Sequence, residues 1–128
     1  MITRTPRFLL FFASLLLTAG GISHAAAFFS RTLAAVAKSN LTLFYGNSFK
    51  LLWLADSATM FILAAVFGLI ASRPSTATRP LVMLLAFIPA VTSVLIYTFL
   101  GSFFAGHILL ATATVVFFAG VQFPGARV

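Results

Sequence analysis

Few side chains in this chain can hold or move a proton near neutral pH. Asp56 is the only acid, and His24 and His107 are the only imidazoles. Tyr97 adds a phenol that falls near them in the scheme developed below. Asp56 lies in "KLLWLADSATMFILAAVF", residues 50–67, a run otherwise suited to an apolar medium. An ionised carboxylate is costly in such a medium and needs a polar neighbour on the protein side. Histidine is the partner that titrates nearest neutral pH. An Asp–His pair would therefore be able to bind a polar ligand, pass a proton, or simply tie two helices together.

Spacing suggests who could meet whom. Trp53 lies three residues before Asp56 and Thr59 three residues after it, so both share its helical face. His107 aligns with Ala111 and Thr114, and His24 with Ala13, Gly20 and Gly21. Tyr97 shares a stripe with Ala86, Ala90, Ser93 and Gly101. Small residues at this spacing allow helices to approach closely. His24, Asp56, Tyr97 and His107 are thus the candidate polar cluster, with Trp53, Thr59 and Thr114 in support.

The plainer readings of the same residues are interhelical hydrogen bonds, and interfacial anchoring of Trp53 and Tyr97. Two histidines on separate helices are the smallest set that would ligate a haem. Two histidines and Asp56 would be a sparse divalent-metal set with no close-spaced ligand pair. No cofactor is expected, and haem stands as the alternative. No phosphate loop, zincin helix or paired catalytic carboxylates occur.

The elements that position these groups are apolar helices. The chain has 128 residues, 62% of them hydrophobic and 7% charged. A soluble domain is about a quarter charged, and a chain this short cannot bury so much apolar surface in one core. The expected solvent is lipid. About 20 apolar residues make a spanning helix, and four segments qualify: Phe8–Phe29, Leu51–Ala71, Leu81–Leu100 and Phe103–Phe123. "SRPSTATRP", residues 72–80, is a tight polar loop. Gly101 and Ser102 turn the last two segments into a helical hairpin. Pro89 falls inside the third, where a membrane helix tolerates it, usually with a kink.

Residues 30–50 form the longest connection. On a helical wheel Leu33, Val36, Ala37, Leu41 and Phe44 share one side, while Arg31, Lys38 and Thr42 share the other. This predicts a short amphipathic helix on the membrane surface. The expected fold is all-α: one domain, an integral membrane bundle of four transmembrane helices with that interfacial helix between the first and second.

The net charge is +7, but the basic residues stand singly at segment ends and form no patch, so nucleic acid is excluded as the expected partner. Arg4, Arg7, Arg73, Arg79 and Arg127 fall on one side of a four-span topology. Arg31, Lys38 and Lys50 fall on the other. The excess places both termini in the cytoplasm. On that topology the four cluster residues lie in the outer third of the membrane, with Asp56 roughly 8 Å below the start of its segment.

Residues 1–27 also read as a cleavable secretory leader, with a basic start, an apolar middle and a small-residue end. The two readings stay open, and cleavage would remove His24. The absence of cysteine excludes disulfides, thiolate metal sites and cysteine nucleophiles. Size and span count resemble those of small bacterial inner-membrane proteins. The expected role is non-enzymatic: a packing, accessory or oligomerising membrane component, its partners being the bilayer and either a second copy or another membrane protein. The alternatives are a small proton-linked transporter or channel subunit, and a membrane enzyme or haem-binding redox subunit acting on a lipid-like substrate.

Overall fold

A computed structural model describes residues 4–123. Arg127 and the C-terminus, which enter the charge argument above, lie outside the described residues, as do the first three residues of the leader reading. The described chain is all-helical. Helix α1 spans Arg4–Ala27 and continues through a π-turn, Phe28–Thr32, into α2, Leu33–Lys38. Helix α3 spans Leu43–Ser72, α4 spans Arg79–Leu100 and α5 spans Phe104–Val121. Four helices, counting Arg4–Lys38 as one, are long and apolar enough to cross a membrane.

The separate interfacial helix is not seen. Residues 33–38 prolong the first helix and residues 43–50 open the third. The physical reason is the absence of a breaker between Phe28 and Lys38, where the alanine-rich sequence favours continuation. The chain breaks later. Ser39 takes extended geometry, and Thr42 caps α3, its hydroxyl accepting from the Tyr45 amide at 3.5 Å. Asp56 therefore lies thirteen residues beyond the first residue of its helix, about 20 Å along the axis, and not near its beginning.

The helices pack in a row with the order α3, α1, α5, α4. Helices α3 and α4 occupy the two edges and do not pack along one another. The α1–α3 seam holds one antiparallel register from end to end. Arg7 Nε donates to the Ala71 carbonyl at 2.9 Å, and Ser14 Oγ donates to the Ala64 carbonyl at 2.7 Å. Trp53 Nε1 donates to the His24 carbonyl at 2.9 Å. The core runs along these seams through Leu10, Ala13, Leu17, Ala64, Phe67 and Val116. Outside them, large apolar side chains such as Phe8, Leu15, Phe99 and Phe104 are mostly exposed.

Helix α4 runs unbroken through Pro89, which is fully buried. It ends at Gly101, whose φ of 70° is the only positive φ among the described residues. A Cβ there would meet no neighbour, so the penalty for a side chain is conformational alone. Gly101→Ala should lower the unfolding free energy in mixed micelles by about 1–3 kcal/mol, because φ 70° with ψ −152° is open essentially to glycine alone. An unchanged midpoint would refute the turn.

Candidate functional site

The structure gathers the predicted polar residues into two pairs, one on each hairpin. Between α1 and α3, His24 is held on three sides. Its Nδ1 and Ser57 Oγ are 2.8 Å apart. Its Nε2 faces Asp56 Oδ2 at 3.6 Å, an electrostatic contact longer than a hydrogen bond. Its ring lies flat on the Trp53 indole, with centroids 4.4 Å apart and planes 11° apart. Trp53 is doubly committed, since its indole N–H also takes the His24 carbonyl. Phe49 flanks Trp53 at 5.8 Å between centroids.

Helical spacing explains this constellation. Trp53, Ser57, Met60, Ala64 and Phe67 recur at three- and four-residue steps and line the seam toward α1. Asp56, one residue before Ser57, is rotated by about 100° and reaches His24 from the seam's edge. The ring is thus flanked by Ser57 from within and Asp56 from the rim.

Ser57 has one proton to give, and where it goes sets the imidazole. Its Oγ also lies 3.2 Å from the Trp53 carbonyl. If the hydroxyl donates there, Nδ1–H donates to Ser57, and Nε2 meets Asp56 bare or as part of an imidazolium. If the hydroxyl donates to Nδ1, Nε2–H meets Asp56. The serine therefore couples the tautomer of His24 to what the carboxyl faces. A serine, histidine and aspartate in contact suggest acyl-transfer chemistry, but Ser57 is only 4% exposed and lies inside the helix seam.

The second pair closes the α4–α5 hairpin. The Tyr97 hydroxyl and His107 Nδ1 are 2.7 Å apart, and His107 Nε2 lies 3.3 Å from Ser102 Oγ. One turn deeper, Ser93 Oγ donates to the Gly106 carbonyl at 2.8 Å. Gly106 makes the approach possible, because a Cβ there would fall 2.9 Å from the Tyr97 ring.

Thr59 and Thr114 lie apart from both pairs. Their hydroxyls donate to the carbonyls of Ala55 and Leu110 in their own helices, and both side chains are exposed. Each imidazole is bonded within its own helical pair, His24 to Ser57 and His107 to Tyr97. The described residues contain no group of three His, Cys, Asp or Glu side chains. Every buried side-chain polar atom among them has a partner.

Sequence reasoning missed Ser57 and Ser102. Ser57 could have been found as the polar member of the Trp53–Met60–Ala64 stripe. Ser102 appeared only as part of a turn. Compared with known proteins, the chain matches no family model, no curated protein and no solved structure.

Proposed function

We propose that this protein is a small polytopic integral membrane protein with a packing role, associating with a second copy or with another membrane protein. The carrying observation is how its polar groups are used. Ser14, His24, Trp53, Ser93, Tyr97 and His107 each bond across a helix–helix seam, which is the main use of polar side chains between helices in lipid. The row arrangement supports the same reading. Helices α3 and α4 each have a neighbour on one side only, and the exposed surface is apolar to a degree that water does not favour. We place the chain in a bacterial inner or plasma membrane with its N-terminal arginines toward the cytoplasm, on the strength of the charge distribution.

The His24–Asp56 contact favours one second reading, a proton-linked transporter or channel subunit. A titratable pair at a helix seam is the minimum such a path requires. A row of four helices encloses no path alone, so this reading also needs an oligomer.

One experiment separates the two. The chain contains no cysteine, so single cysteines placed on the outer face of α4 report neighbours without background. Leu84→Cys and Val91→Cys lie seven residues apart on exposed positions. Oxidation in native membranes should trap a dimer or a discrete heterologous product at both sites. If the vesicles carry proton flux that Asp56→Asn abolishes while the cross-links persist, the transport reading replaces the packing role; if both sites stay monomeric and no flux is seen, the packing role is wrong.

A further inference from the structure

We infer that the groove between the prolonged first helix and the start of α3 binds an anionic phospholipid, its acyl chain along the apolar wall and its headgroup on Arg31. The groove has a volume of about 320 Å³ and is lined by Arg31, Thr32, Val36, Leu41, Phe49 and Trp53, among others. That volume is at the lower end of small-molecule sites. Its walls are almost wholly apolar, its one charged lining residue is Arg31, and no acid lines it.

Charge complementarity points to the occupant. Among the described residues the only ion pair is His24–Asp56, so the Arg31 guanidinium has no carboxylate partner. Guanidinium is well matched to phosphate oxygens. Thr32 and Ser39 also line the groove, the Ser39 hydroxyl donating to the Val36 carbonyl at 2.7 Å. The Trp53 indole N–H is already bonded to the His24 carbonyl. What Trp53 offers the groove is apolar ring, suited to an acyl chain.

The backbone supplies a second, independent observation. Along the first helix His24, Phe28, Thr32 and Val36 fall in steps of four: His24 bonds Ser57 of α3, Phe28 and Thr32 are buried, and Thr32 and Val36 line the groove with Phe49 and Trp53 of α3. A regular α-helix gains about 40° of rotation over each such step, which would carry the seam away from Thr32. The π-turn at Phe28–Thr32 absorbs that drift, and such turns recur at functional sites. It keeps Thr32 buried and leaves Arg31 at the groove's edge. A groove of similar size between α4 and α5, lined by Ala86, Ala90, Thr114 and Phe117, carries no charged residue at all. It offers acyl-chain contact without headgroup choice.

The inference rests on the membrane reading, because its ligand is a bilayer component. Trp53 is the chain's single tryptophan, so its fluorescence reports the groove. The full-length protein is reconstituted into phosphatidylcholine vesicles containing equal mole fractions of either acyl-brominated phosphatidylglycerol or acyl-brominated phosphatidylcholine. Quenching of Trp53 should show about a fivefold preference for the anionic lipid. Arg31→Gln should bring the ratio close to one, Arg31→Lys should keep most of it, and Lys38→Gln, outside the groove, should leave it unchanged. Equal quenching by both lipids overturns this inference and leaves the membrane reading intact, as does equal loss in Arg31→Gln and Lys38→Gln, which would mean diffuse surface attraction. Protein recovered in the buffer and quenched by neither lipid overturns both.

Discussion

Gly120→Val should separate the last two helices. A Cβ built on Gly120 falls 2.7 Å from Met83 Cγ and 3.2 Å from the Met83 backbone nitrogen. The methionine side chain can swing aside, but the backbone nitrogen moves only if α4 moves. Valine adds two methyl groups to that conflict. Overpacking of this kind costs about 1–3 kcal/mol, and the backbone contact puts this site toward the upper end. The expected result is a fall of about 2–3 kcal/mol in unfolding free energy in mixed micelles. The chain carries its own control in Gly20, where a Cβ would sit 3.7 Å from the Met60 sulfur, an ordinary contact. Gly20→Ala should be neutral or slightly stabilising, since alanine is the better helix former. Equal behaviour of the two variants would contradict the α4–α5 packing.

The contrast between those glycines shows what a sequence can and cannot disclose. Gly20 stood in a recognised small-residue stripe with Gly21 and Ala13, while Gly120 stood near the end of an apolar run with no pattern to mark it. Composition reveals that close approach is possible somewhere. Which helix comes close depends on the order in which helices pack, and that order is not periodic. The four apolar helices were legible because Ser72–Pro80 and Gly101–Ser102 interrupt long apolar runs. The connection at residues 30–50 misled for a related reason. Its wheel is amphipathic, a pattern that a surface helix and a helix prolonged beyond the bundle share. The deciding features were local: nothing breaks the helix before Ser39, and Thr42 provides the next N-cap.

The polar residues pose the same problem one level up. Counting along the helices places His24, Asp56, Tyr97 and His107 toward one end, but it does not say that α1 lies between α3 and α5. The row arrangement divides the four into His24 with Asp56 and Tyr97 with His107. Asp56 marks the face one residue away from the seam, and Ser57 lies on the seam itself. Two adjacent residues on a helix point about 100° apart, and here both reach the same imidazole from different sides.

That shared imidazole gives the chain its most informative test. His24→Leu removes the partner of Ser57, the ring nitrogen facing Asp56 and the ring stacked on Trp53 together. Ser57 still has the Trp53 carbonyl, so the main loss falls on Asp56, left at the rim of the seam without its neighbour. The expected cost is about 2 kcal/mol. Asp56→Asn alone keeps a polar group of the same shape and should cost less than about 1 kcal/mol. In the double variant there is no carboxyl left to strand, so the two losses should not add. The shortfall, about 1 kcal/mol, is the coupling between the residues. Additive losses would show that the 3.6 Å contact carries no energy. The cycle also bears on function when each variant is followed by cross-linking from the α4 face. If His24 and Asp56 serve packing, partner cross-links should weaken in step with lost stability, and Asp56→Asn should change both little. If Asp56 carries protons, Asp56→Asn should remain folded and cross-linked while flux disappears. A carboxyl that merely fastens two helices can be replaced by an amide, whereas one that must gain and lose a proton cannot.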